Sequence, residues 1–203
     1  MSSSELKQSS LTKWCPLLDP KNLAPFFDVS SRDVGLRLGH SLVPFNPRFH
    51  PLYHAKPDLY GPFWILTTLI ASLFIAGNIS RYIRLGKEKF EYNFTMIPIA
   101  AGVLYGVGLG LPLLISLLLK WFGSNIREGT PVVSAIGIYG YSFSSFLLVS
   151  MICAIPIDWL QWLFISYAAL TSIGFLIRTY WTEFSVNLEP AKRLIAIALV
   201  CSV

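Results

Sequence analysis

Residues 62 to 79 form an apolar run, PFWILTTLIASLFIAGNI, with no charged side chain in it. About twenty residues at 1.5 Å rise cross the hydrocarbon core of a bilayer, so this run, helped by 59 to 61, reads as a membrane-spanning helix over 60–79. The pattern returns at 96–119, 131–155 and 157–177. Little more than Pro156 separates the last two, which makes them a tight antiparallel hairpin. The chain then ends LIAIALVCSV, ten apolar residues that cover about half a bilayer core and read as a truncated fifth span, 194–203. Composition agrees: 54% of the residues are hydrophobic and only 13% charged, where a soluble domain carries about a quarter charged residues. The fold class is an all-α polytopic integral membrane protein with four complete transmembrane helices and a partial fifth.

Residues 1–58 precede this domain and are polar, with all three histidines and a scatter of Pro and Ser. The first twenty residues lack the continuous apolar core of a secretory signal, and MSSSELKQSS reads as disordered. One helix is expected in the segment. Ser30 supplies an N-cap with Asp33 three residues on, a carboxylate version of the capping box. Val34, Leu38 and Leu42 then form one apolar stripe that Pro44 stops. Arg32, Arg37 and His40 lie off the stripe, and the helix is expected to rest on the membrane surface or on the bundle.

Charge gives an orientation and limits the partners. With a cytosolic N-terminus, Arg48, Lys56, Lys120, Arg127, Arg178, Lys192 and Arg193 flank the cytosolic side, against Arg81, Arg84, Lys87 and Lys89 opposite, a bias in the expected direction. The net charge of +5 is spread over both sides. It offers no focused nucleic-acid patch, and a mild preference for an anionic lipid bilayer is the most it supports.

No catalytic, cofactor or metal constellation stands out. His50, His54 and Asp58 are four apart, but Pro51 and Pro57 break the helix that would align them. Cys15, Cys153 and Cys201 are widely spaced and fit neither a zinc site nor a disulfide framework. Gly102, Gly106 and Gly110 repeat every four residues, a double GxxxG that reads as a helix-packing face, with a kink expected at Pro112. In the third span, the small and hydroxylated residues from Gly137 to Ser145, with Tyr139, Gly140, Tyr141 and Ser142 among them, read as links between neighbouring helices; the functional alternative is a polar seam of Tyr139, Tyr141 and Ser142 that faces a partner or lines a path. Asp158, at the hairpin turn, touches water or caps the fourth helix. The spans hold no charged centre suited to a pump. The sequons at Asn78 and Asn93 hug a membrane boundary and read as chance matches.

In PDLYGPFWI, residues 57–65, Pro62 suits the first helical position, Tyr60 and Trp64 share a face at headgroup depth, and Asp58 stays in water just outside. The element Asp58-Leu59-Tyr60-Gly61-Pro62, joined to Tyr139-Gly140-Tyr141-Ser142, resembles the Yip domain family of Golgi membrane proteins that interact with Rab-type GTPases. The similarity extends to Phe26-Phe27-Asp28-Val29, to Gly77-Asn78-Ile79-Ser80 and to the Ile155-Pro156 hairpin with its tryptophans, and runs from about residue 23 onward. The resemblance implies a five-span, non-catalytic protein with a cytosolic N-terminus, resident in the Golgi or cycling with the endoplasmic reticulum. It further implies a role in vesicle-mediated transport, binding of prenylated Rab proteins and hetero-oligomers with Yip and Yif relatives. Two other readings stand beside it: a small channel, scramblase or lipid carrier in which the Tyr139 to Ser142 seam lines a path, and a non-catalytic membrane scaffold.

Overall fold

The structure, a computed structural model, describes residues 26–43, 53, 57–114, 116 and 132–187. The expected fifth span and Cys15, Cys201, His50 and His54 lie outside the described residues. A short helix α1 (Ser31–Ser41) comes first. The first span is α2 (Tyr60–Leu85). The second is α3 (Met96–Tyr105), continued through a π-helical turn at Gly106–Gly110 and on to Leu114. The third is α4 (Val132–Ser142) and α5 (Ser144–Ile152), joined at Phe143, and the fourth is α6 (Asp158–Asn187). All four are long and apolar enough to cross a membrane.

The boundaries follow local chemistry. Ser30 caps α1 by accepting the Arg32 N–H at 3.3 Å, as the sequence predicts, and the helix ends ahead of Pro44. The first span runs six residues past its expected end, through Arg81 and Arg84, until Gly86 turns the chain at φ 74°. A left-handed backbone there suits a residue without a Cβ. At about 39 Å, this helix exceeds the roughly 30 Å hydrocarbon core, so its basic last turn reaches headgroup depth. In the second span Pro112 follows the π-turn at Gly106–Gly110 directly. The wider turn accommodates a ring that would clash with the carbonyl four residues back, so the irregularity precedes the proline. The fourth span extends ten residues beyond its expected end, to Asn187.

The third span is the central element. Buried positions make up 67% of its apolar window and 33% or less of each other span. Its first half, α4, packs against α1, α2 and α6, and α5 packs against α1, α2 and α6. Hydroxyl pairs pin the helices together: Ser72 to Ser150 at 2.7 Å between the first and third spans, and Thr67 to Tyr105 at 2.7 Å between the first and second. Buried aromatics Tyr53, Tyr139, Tyr141, Phe175 and Tyr180, with Ile65, Ile138 and Leu176, fill the end of the bundle nearest the N-terminal segment.

At the other end, Arg84 pairs with Asp158, tying the end of the first span to the start of the fourth. Gln161 closes the hairpin by donating to the Cys153 and Ile155 carbonyls at 2.9 and 3.0 Å. Phe74, Phe94, Tyr92, Phe90 and Tyr82 form an unbroken line of ring contacts that folds the first loop back along α2. Asn78 belongs to this end too. Its amide donates to the Phe74 carbonyl at 2.8 Å and accepts the Asn93 N–H at 3.0 Å. Buried and bonded on both sides, it is a structural tie rather than a glycan acceptor.

Candidate functional site at the start of the first span

The two parts of the sequence motif meet in space. Asp58 is fully buried, which corrects the expectation that it stays in water outside the membrane. Its carboxylate pairs with Arg37 of α1, also buried at 3% exposure. It accepts the Tyr141 hydroxyl at 3.1 Å and the Gly61 N–H at 2.9 Å. One carboxylate thus joins the N-terminal helix, the first span and the third. The Gly61 bond also supplies the side-chain cap that Leu59 lacks, with negative charge at the positive end of the helix dipole. Burying a charge is costly unless it is paired and hydrogen-bonded, and here both conditions hold.

The reading of α1 changes as a result. Arg37 lies off the Val34, Leu38, Leu42 stripe in sequence, yet Arg37 and Ser41 are its buried residues, while the stripe itself is half-buried. Ser41 donates to the Leu38 carbonyl at 2.8 Å, which commits its proton, so Ser144 is the donor in the 2.8 Å contact between their hydroxyls. Ser144 stands near the middle of the third span, Val132–Ile152. The helix therefore packs along the first half of that span instead of lying on a lipid surface. The Arg37–Asp58 pair also revises the expectation of a bundle without a charged centre, since the N-terminal segment carries one into it.

Tyr53 completes the cluster. It is fully buried, donates to the Asp58 carbonyl at 3.2 Å, sets its ring edge against Tyr141 at 5.9 Å, and lies under the Arg37 guanidinium at 5.5 Å. Leu59 donates its N–H to the Phe26 carbonyl at 3.0 Å, so the Phe26-Phe27 segment is anchored at the same place. Neither Tyr53 nor Arg37 stands out by sequence motif. For Arg37 a signal exists: Val34, Arg37, Leu38 and Ser41 fall at i, i+3, i+4 and i+7, a complete helical face once a paired arginine is allowed on it.

Glycines explain why the motif halves belong together. A Cβ at Gly140 would stand 2.3 Å from the Pro62 Cβ and 2.9 Å from its Cα, and one at Gly61 would stand 2.1 Å from the Tyr141 hydroxyl. At Gly137 it would meet the Tyr53 hydroxyl at 1.6 Å. Each half leaves the space the other fills. Pro62 sits at the third helical position, not the first, still among the positions whose N–H has no intrahelical acceptor. Tyr60 and Trp64 face outward as expected, their rings 6.1 Å apart.

The other candidates separate from this centre. Tyr139, Tyr141 and Ser142 are buried in packed core, and Ser142 bonds back to the Tyr139 carbonyl at 2.7 Å. The seam is thus engaged in helix packing. Gly102, Gly106 and Gly110 meet none of the described residues within 4 Å. Among the described residues the glycine of the second span that packs on a neighbouring helix is Gly108, where a Cβ would stand 3.0 Å from Leu66 and 3.7 Å from Phe143. Asp158 is exposed at the opposite end, paired with Arg84.

Comparison with known proteins follows the same residues. The sequence model of one family, described as the Yip1 domain, matches residues 41–203. The chain is 32% identical over 157 residues to a Dictyostelium discoideum protein named "Protein YIPF1 homolog", covering 77% of this chain and 44% of that one. It is also 32% identical over 134 residues to "Protein YIP5" of Schizosaccharomyces pombe, covering 65% of this chain and 52% of that one. The chain thus spans about half the length of these curated relatives. No solved structure matches it.

Proposed function

The chain belongs to the Yip1 domain family, and on that footing we propose that it supports vesicle-mediated transport as a Golgi membrane protein that cycles with the endoplasmic reticulum. Its partners in this reading are prenylated Rab-type GTPases and other Yip and Yif membrane proteins. The N-terminus is cytosolic, in keeping with the excess of Lys and Arg on that side.

The observation that carries the reading is the seat of α1 against the bundle. The buried Arg37–Asp58 pair and the Ser41–Ser144 contact hold one face of the helix against the bundle. The opposite face, with Arg32, Leu36 and Gly39, stays exposed, as do Phe27 and Val43 beyond its ends. A lipidated GTPase is already confined to the membrane by its prenyl chains, so the small face that the seated α1 presents beside the first span suffices to retain it. Asp58 acts in this as a positioning residue rather than a contact.

The test is capture of a panel of prenylated Rab proteins by the full chain in liposomes. Leu36→Glu, on the exposed face, lowers capture of the cognate GTPase about tenfold or more, a loss typical of an interface anchor. Equal capture by the native and Leu36→Glu chains overturns the docking role. Proximity labelling in cells reads compartment and partner together, and labelling confined to non-Golgi membranes refutes the location.

A further inference from the structure

The attachment of α1 to the bundle is polar where the attachments among the spans are mainly apolar. Its two fully buried side chains are Arg37 and Ser41, while Val34, Leu38 and Leu42 keep partial exposure and Leu36 is 46% exposed. Each seat is matched by a polar group: the Asp58 carboxylate for Arg37, the Ser144 hydroxyl for Ser41. Leu38 also packs on the buried core cluster, and Val34 and Leu42 are half-buried, so release uncovers one narrow apolar stripe together with the two polar seats. An isolated helix of eleven residues is also marginal in water, so α1 loses its helical order on leaving its seat.

The ligands of Asp58 are divided in an informative way. The Gly61 N–H and the Tyr141 hydroxyl belong to the first and third spans, and only Arg37 comes from α1. Departure of α1 leaves the carboxylate hydrogen-bonded to the spans and opens it to water on the side Arg37 occupied. The interlock of Gly61 with Tyr141 and of Gly140 with Pro62 involves no residue of α1. The bundle can therefore release this helix without disassembling the motif.

We propose that α1 is a releasable strap: the protein alternates between the seated state described above and a released state in which the Ser144 hydroxyl and the outer side of the Asp58 carboxylate are open, with the Arg37–Asp58 pair setting the balance. Buried ion pairs contribute little net stability, and their best-attested use is to set the register between alternative arrangements. This inference concerns the chain's own conformations and stands apart from the identity of any docking partner.

Thiol labelling in liposomes tests it, on the full chain carrying Cys15→Ser, Cys153→Ser and Cys201→Ser. Ser144→Cys reports on the strap, because Ser144 is 1% exposed beneath Ser41. Ser72→Cys reports on the bundle, because Ser72 lies between the first and third spans against Ser150. With a membrane-permeant reagent, Arg37→Ala speeds labelling at the Ser144→Cys site about 100-fold and leaves the Ser72→Cys site unchanged, as expected when one partner of a buried pair is lost. Arg37→Lys, which keeps the charge but not the planar fork, gives a smaller rise at the same site. Oxidation of a Ser41→Cys/Ser144→Cys chain closes a disulfide and holds the strap down. Parallel acceleration at both reporter sites means general loosening and overturns the proposal, as does no acceleration at Ser144→Cys in either Arg37 variant.

Discussion

The Asp58 carboxylate is charged, buried and engaged by three structural elements at once. Asp58→Ala strands the Arg37 guanidinium and costs about 3–5 kcal/mol, whereas Arg37→Leu combined with Asp58→Leu costs clearly less, because no unpaired charge remains. Thermal unfolding in detergent, read as a double-mutant cycle, checks the difference. Gly140→Ala drives a methyl into Pro62, whose ring and backbone cannot swing aside, and lowers stability by about 1–3 kcal/mol or prevents assembly. Gly137→Ala meets the hydroxyl of the fully buried Tyr53 at 1.6 Å and the Asp58 backbone carbonyl at 3.0 Å, and is destabilising as well. The motif was legible in the sequence as letters but not as a contact. Apolar periodicity registers Val34, Leu38 and Leu42 and passes over the arginine beside them, so Asp58 was left in water for want of a visible partner.

At the scale of elements, the four spans are legible because length and apolarity suffice to find them. Their ends are less so: the first span continues through Arg81 and Arg84, because a helix longer than the hydrocarbon core tolerates charge in its last turn. The second span shows a different limit. Glycine spacing marks a face open to close approach without saying which neighbour uses it, and the helix turns Gly108 inward instead. Gly108→Leu therefore crowds Leu66 and Phe143 and destabilises the chain by about 1–3 kcal/mol. A Cβ at Gly106 meets none of the described residues within 4 Å, so Gly106→Leu lowers the melting temperature less than Gly108→Leu, and a chromatographic thermal-shift series separates the two. The π-turn was invisible in the sequence beyond Pro112, since propensity marks a proline but not how the backbone absorbs it.

At the scale of the whole molecule, two ion pairs among the described residues stand at opposite ends of the bundle and differ in weight. Arg84–Asp158 is exposed and water-screened, so Asp158→Asn leaves thermal stability unaltered, in contrast to any change at Asp58. With the native cysteines replaced, an impermeant thiol reagent reaches Asp28→Cys and Lys89→Cys from opposite faces of a sealed vesicle. Access to both from one face refutes the arrangement of spans. The interlock between the start of the first span and the middle of the third also bears on how the protein is made. Asp58 and Tyr141 are 83 residues apart, which at ribosomal speeds of about 5–20 residues per second means a delay of roughly 4–17 s. The first span is complete well before the end of that interval, while the Tyr141 hydroxyl that its carboxylate accepts has yet to be synthesised. The Asp58 carboxylate thus gains its Tyr141 partner only when the third span arrives, which makes this contact a late one in the order of synthesis.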